Sequence, residues 1–150
     1  MRRVLVLHGP NLNALGVREP AIYGMATLEA IDRRLLELGN ELGCRVESLQ
    51  SNHEGVLIDA LHGARGRCDG VILNPGGLTH TSVALRDAVL AAGVPVVEVH
   101  VSNPHAREPF RGVSWIAGAA LGVVQGFGGE SYALALRGLL AHLGGGASHG

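Results

Sequence analysis

The chain has 150 residues, a formal net charge of −1, 47% apolar residues and 3% aromatic residues. These values predict a single soluble domain with an aliphatic core, and the near-zero charge argues against a nucleic-acid-binding protein. Two cysteines without metal-ligand spacing indicate a reduced compartment, and the brief apolar start is too short for a signal peptide or a membrane span, so we expect a cytoplasmic protein.

Hydrophobic periodicity predicts strands that alternate with helices along the chain. In chain order we expect strand 4–8, helix 28–42, strand 45–50, helix 55–64, strand 69–74, helix 83–92, strand 96–101, a short irregular helix within 111–122, strand 122–126 and helix 130–143. Thr27 is the expected N-cap of the first helix, Gly43 its end, and Thr81 or Ser82 the N-cap of the third. The sequence SNHE at 51–54 resembles a capping box before the second helix.

This alternation predicts the fold class. We expect an α/β domain over residues 1–143 with a flavodoxin-like, doubly wound, five-stranded parallel sheet in the order 2-1-3-4-5. The glycine-rich residues 144–150 are expected to form a disordered tail. In such a fold the ligand site lies outside the carboxyl ends of the strands, near the switch point between strands one and three.

The connection after the first strand is unusually long and polar. Its sequence, GPNLNALGVREPAIYG, contains no G-x-G-x-x-G and carries Asn11, Arg18 and Tyr23. Forming tyrosinate at pH 7 costs about 4 kcal/mol, and a close arginine lowers a pKa by roughly 1–3 units. The loop is therefore compatible with Tyr23 as a base activated by Arg18, or with an ordinary packing or surface tyrosine.

Strand four ends in a second group of polar residues. Glu98 and His100 are two residues apart, so their side chains share one face of the strand, where the carboxylate would orient the imidazole. The alternative is a polar pair without a catalytic role. After the end of this strand the sequence continues with Ser102, Arg107 and Arg111.

Strand three ends in Asn74, and His80 follows a Pro-Gly-Gly turn. Either residue could instead serve the turn or the next helix cap. The polar end of strand two lies at the sheet edge, so a catalytic role is less expected there.

These groups together suggest one reaction class. A tyrosine base, a histidine acid, several arginines and no metal-ligand spacing fit proton abstraction beside a carbonyl, with acid-assisted loss of an oxygen leaving group. All 12 basic residues are arginine, which excludes a Schiff-base lysine. Two alternatives remain open: a small-ligand-binding module that holds a phosphate or nucleotide, and a metal-free isomerase acting on another keto acid.

Four stretches together resemble one family, the type II 3-dehydroquinate dehydratases of the shikimate pathway. They are GPNLNALGVREPAIYG, QSNHEG, NPGGLTHTSVALRDA and VPVVEVHVSNPHAREPFRGVS. The resemblance implies an anti elimination in which Tyr23 removes the C2 proton. Arg18 would keep the Tyr23 hydroxyl ionised. The resemblance also implies that Asn11 holds a water at the enolate, and that His100, oriented by Glu98, protonates the departing C1 hydroxyl.

The same resemblance implies how substrate is held. Asn74, Ser102 and the backbone at Val101 match carboxylate-binding positions, whereas His80 and Arg111 match groups that hold ring hydroxyls.

Two further residues have roles that the resemblance implies. Arg107 would close with the lid, and Asp87 would reach the site of a neighbouring subunit in a homododecamer of four trimers. We expect no cofactor, and no metal because the sequence has no metal-ligand spacing.

Overall fold

Five parallel strands form one sheet within the residues that this computed structural model describes, 1–16 and 27–145. The strands are β1 (Arg2–His8), β2 (Cys44–Gln50), β3 (Gly70–Asn74), β4 (Val96–His100) and β5 (Gly122–Gln125), and the helices are α1 (Leu28–Leu42), α2 (Glu54–His62), α3 (Val83–Ala91) and α4 (Glu130–Gly145). The strand order is β2-β1-β3-β4-β5, so the predicted flavodoxin-like α/β topology is confirmed.

The sheet separates two apolar layers because successive strand residues point to opposite faces. On β1, Val4 and Val6 pack with α1 and α4, whereas Leu7 packs with α2 and α3. Burying one such aliphatic side chain contributes about 1.5–3 kcal/mol. Any polar side chain that continues this alternation at a strand end is therefore aimed into one layer or the other and has to find hydrogen bonds there.

Side chains cap helices α1 and α3 as the sequence predicts. The Thr27 side chain accepts a hydrogen bond of 3.1 Å from the Ala30 N–H at the start of α1. Of the two candidates for α3, Ser82 is the cap, accepting from the Leu85 N–H at 2.8 Å.

The predicted capping box at α2 is wrong. His53 is the N-cap, and its side chain makes no capping hydrogen bond. The Ser51 hydroxyl instead accepts from the His53 N–H at 2.9 Å, which closes a two-residue turn ahead of the helix. The Ser51 side chain is short, and because it bonds to the His53 N–H it does not cap the first turn of α2.

The short irregular helix predicted within 111–122 is the 3₁₀ helix Ala117–Ala119. Two more 3₁₀ helices precede it in the connection from β4 to β5, Pro104–Ala106 and Pro109–Gly112. The Trp115 N–H donates to the Thr79 carbonyl at 2.8 Å, so this segment is tied to the turn that follows β3.

The last helix ends later than the sequence predicts. Helix α4 continues to Gly145, two residues into the predicted tail, and residues 146–150 lie outside the described part of the chain. None of the helices in the ranges 1–16 and 27–145 is long and apolar enough to cross a membrane.

Candidate active site

A cleft opens at the carboxyl ends of β1, β3 and β4, where the fold predicts a ligand site. The predicted site residues that line it are Asn11, Asn74, His80, His100, Val101, Ser102, Arg107 and Arg111. Two arginines and two histidines face the same space. This lining suits an anionic ligand with several hydrogen-bonding groups.

Close contact between the loops after β1 and β3 forms the floor of the cleft. A Cβ atom on Gly9 would lie 2.6 Å from the Pro75 carbonyl oxygen, and one on Gly76 would lie 2.9 Å from the Pro10 carbonyl oxygen. Gly76 also has a φ of +61°, which side-chain-bearing residues rarely adopt. The two glycines allow the loops to touch, and this contact brings Asn11 and Asn74 to the same cleft.

Asn11 is held in position by the end of β2. Its φ is 70°, a left-handed conformation that asparagine tolerates better than most residues. Its N–H donates to the Asn52 side-chain oxygen at 2.9 Å, and Gln50 donates to that same oxygen at 3.1 Å. The polar end of the edge strand does not line the cleft, but it braces a residue that does.

Glu98 and His100 form a hydrogen-bonded pair, as their spacing predicts. The Glu98 side chain is fully buried, and its Oε2 lies 2.5 Å from His100 Nε2. The same oxygen accepts from the Thr79 hydroxyl at 2.5 Å, and the Ser114 hydroxyl lies 2.9 Å from Oε1. Because an ionised carboxylate only accepts hydrogen bonds, Nε2 of His100 carries the proton that it shares with Glu98.

Burial alone would raise the pKa of the Glu98 carboxyl, but the hydrogen bond and charge of His100 and the hydroxyls of Thr79 and Ser114 outweigh it, so the pKa lies below its ordinary value. Glu98 is therefore an anion at neutral pH. An anion fixed at Nε2 is complementary to a protonated imidazole and holds the ring with Nδ1 on the other side. Within the described ranges no hydrogen bond to His100 Nδ1 forms, and His100 lines the cleft.

Residues close in sequence hold the two arginines that line the cleft. Arg107 Nη1 donates to the Ser102 hydroxyl at 3.3 Å, and Arg111 Nε donates to the Glu108 carboxylate at 3.1 Å. His80 Nδ1 donates to a backbone carbonyl, that of Val113, at 2.7 Å. These contacts fix which ring nitrogen of His80 is engaged and pair the two arginines with groups beside the cleft.

Residues 2–140 match the family model described as Dehydroquinase class II. The chain belongs to the class II dehydroquinase family. A protein of Ruegeria pomeroyi named 3-dehydroquinate dehydratase is 56% identical over 143 residues, which are 95% of this chain and 96% of that one. A protein of Desulforudis audaxviator with the same name is 61% identical over 135 residues, 90% of each chain.

Solved structures agree with this assignment. The type II dehydroquinase of Butyrivibrio crossotus superposes with a TM-score of 0.90 at 39% identity, covering 93% of this chain and 97% of that one. The type II dehydroquinase of Propionibacterium acnes also gives 0.90, at 40% identity, covering 94% and 97%. The family named from four sequence stretches is confirmed.

The structure brings together most of the residues that the dehydroquinase resemblance implies, but not all. Glu98 lies behind His100, not in the cleft itself. Asp87 is exposed on α3 and does not line the cleft of its own chain. Arg18 and Tyr23 lie outside the described residues, so their roles stay predictions.

Thr79 and Ser114 were missed as site residues by the sequence reasoning, although both donate to Glu98. Their contacts join residues 19 and 16 positions from Glu98 along the chain. Helix and strand periodicities relate residues only a few positions apart, so they do not predict these contacts. The only signal was their place in two of the four stretches that resemble the family.

Replacing Thr79 by valine is expected to lower the free energy of unfolding by about 1.5–3 kcal/mol at neutral pH, the usual worth of a hydrogen bond to a charged group. Because the folded-state pKa of Glu98 is depressed, this stabilisation exists above the ordinary glutamate value of 4.5 and disappears as the pH falls through the lower folded value. Urea denaturation from about pH 7 to about pH 3 measures it.

The control is Thr81→Val, the same substitution at an exposed site that does not cap α3. It should leave stability within about 0.5 kcal/mol at each pH. Equal losses for Thr79→Val at neutral and acidic pH would show that the hydroxyl packs without stabilising the charged carboxylate.

Proposed function

We propose that this dehydroquinase converts 3-dehydroquinate to 3-dehydroshikimate by anti elimination of water, a step of the shikimate pathway. The observation that carries the proposal is the buried Glu98 carboxylate hydrogen-bonded to His100, which lines the same cleft as Arg107 and Arg111, in a chain of this family. The names of its relatives are those of 3-dehydroquinate dehydratases.

His100 is the proposed acid. Its Nε2 is engaged by Glu98, so Nδ1 is the nitrogen left to meet a ligand in the cleft. Protonating the C1 hydroxyl turns hydroxide, a poor leaving group, into water. Glu98 stabilises the protonated ring before transfer and keeps it oriented afterwards, which is the role of a carboxylate behind a catalytic imidazole.

Tyr23 is the proposed base for the C2 proton, with Arg18 keeping it ionised. Leu15, three residues before Arg18 in the sequence, lines the cleft, which supports a place for this segment in the proposed mechanism. The negative charge that develops on the carbonyl oxygen as the C2 proton leaves needs a donor nearby. We assign that role to a water held by Asn11, whose backbone is fixed by Asn52.

The substrate carboxylate is proposed to bind at Asn74, Ser102 and the Val101 backbone, and the ring hydroxyls at His80 and Arg111. All five line the cleft.

The remaining parts of the proposal concern closure and assembly. Arg107, which donates to Ser102, would close over the bound anion with the lid. Asp87, exposed on α3, would reach the cleft of a neighbouring subunit in a dodecamer of four trimers. A cytoplasmic location and the absence of a cofactor stay predictions from the sequence.

The test follows absorbance of the conjugated enone product from purified protein and 3-dehydroquinate, with EDTA present and after borohydride treatment. Product under both conditions supports elimination without a metal or an imine. If folded protein gives no product, a panel of other keto acids tests the isomerase alternative, and a bound nucleotide or flavin on purification would favour the binding module.

A further inference from the structure

A second buried polar network lies on the opposite face of the sheet from Glu98. His8 ends β1 directly beside Asn74 at the end of β3, because the two residues are paired in the parallel register. His8 Nδ1 lies 2.9 Å from the Tyr132 hydroxyl of α4, and His8 Nε2 lies 2.8 Å from the Asp32 carboxylate of α1. Asn74 Nδ2 lies 2.9 Å from the same Tyr132 hydroxyl.

The chemistry of these groups fixes the direction of each hydrogen bond. The Asp32 carboxylate accepts, so His8 Nε2 is the donor there. The Tyr132 hydroxyl accepts from the Asn74 amide, and in the neutral ring whose proton is on Nε2 the Nδ1 atom of His8 accepts from this hydroxyl. Burial raises the pKa of Tyr132, which keeps this hydroxyl protonated.

The network ends at a group that faces the cleft. The other end of the Asn74 amide, its oxygen, accepts from the Gly76 N–H at 3.0 Å. With the oxygen held by Gly76 and one N–H held by Tyr132, the amide has a single orientation. Its second N–H is then left for a ligand, and Asn74 lines the cleft although it is only 2% exposed.

We propose that Tyr132 and His8 are positioning residues that direct one Asn74 amide hydrogen toward the carboxylate of the substrate. The proposal rests on the proposed function, since that substrate is the anionic ligand of the cleft. Asp32 anchors the network where α1 meets solvent, its side chain being 33% exposed while His8 is fully buried. A network with only a structural role would not need to fix the orientation of the Asn74 amide, because apolar side chains would fill the same layer of the core.

The first test is Tyr132→Phe, which removes the hydroxyl and keeps the ring. Without it the Asn74 amide keeps only the Gly76 contact at its oxygen and its N–H end is no longer held, so KM for 3-dehydroquinate should rise about fivefold to tenfold while kcat changes less than about threefold. An analogue of the substrate that lacks the carboxylate should bind both proteins equally. An unchanged KM in the variant would overturn the proposal.

The matched control is Leu136→Val, one helical turn further along α4 and fully buried in the same layer. It should lower the melting temperature without changing KM. If this control raises KM as much as Tyr132→Phe does, loss of packing rather than loss of the hydroxyl explains the effect, and the proposal fails.

A double-mutant cycle tests whether Tyr132 acts through Asn74. In an Asn74→Ala background, adding Tyr132→Phe should change KM less than twofold. Additive effects would show that the hydroxyl acts by another route. If Tyr132→Phe does not fold, His8→Gln, which removes the ring nitrogen that accepts from Tyr132, is assayed in the same cycle.

Wild-type turnover separates the two proposals. Absence of product from the wild-type protein contradicts the proposed function. Turnover by the wild type together with an unchanged KM in the variants contradicts only the positioning role.

Discussion

Replacing His100 by glutamine is expected to lower kcat by about 10²–10⁴-fold, the usual contribution of a general acid. Glutamine can still hydrogen bond to Glu98, but it has no proton to deliver to a departing hydroxyl at neutral pH. The measurement is kcat from the enone absorbance assay at saturating 3-dehydroquinate. Because glutamine keeps a polar group at the cleft, KM should move by less than the rate.

The control for this experiment is His105→Gln, which makes the same change at an exposed residue of the 3₁₀ helix Pro104–Ala106 that does not line the cleft. Its kcat should stay within about twofold of wild type. A His100→Gln variant that keeps kcat within threefold would assign the acid to another group, and His80, which also lines the cleft, would be examined next.

Replacing Tyr23 by phenylalanine is the second change with a large expected effect. It removes only the ionisable hydroxyl, so loss of a general base predicts a fall in kcat of about 10²–10⁴-fold. Affinity for a substrate analogue should be nearly retained, because the substitution keeps the aromatic ring and changes none of the residues that line the described cleft. Single-turnover kinetics and a separate binding titration measure the two quantities independently.

The chain contains a natural comparison, because Tyr132 is its second tyrosine. The same substitution at Tyr132 removes a buried, protonated hydroxyl that touches Asn74, so it should act on KM. Wild-type kcat in Tyr23→Phe would remove Tyr23 from the role of base. A pattern in which both tyrosine variants lower kcat alike would contradict the division of roles.

Features set by local spacing were predictable from the sequence. The alternation of strands with helices predicts a doubly wound parallel sheet, and the two-residue period of a strand predicts the Glu98–His100 pair. The same period places His8 on one face of β1. It does not say what His8 meets, because Tyr132 is 124 residues away.

Features set by competition between nearby partners were not predictable. At α2, Ser51 could bond to the helix start or to the His53 N–H, and only the backbone path decides between them. Thr79 and Ser114 reach Glu98 because the segment after β4 folds back over the turn after β3. No hydrophobic periodicity in a single sequence predicts that one loop packs against another loop distant in the chain.

The two buried networks reach the cleft from opposite faces of one sheet. Glu98 and His100 are held by Thr79 in the turn after β3 and by Ser114 in the segment after β4, whereas His8 and Asn74 are held by Tyr132 of α4 and Asp32 of α1. Substitutions in one layer therefore need not disturb the other. We therefore expect substitutions around Thr79 and Ser114 to change the turnover step, and substitutions around Tyr132 to change ligand affinity, so that the two traits can evolve separately.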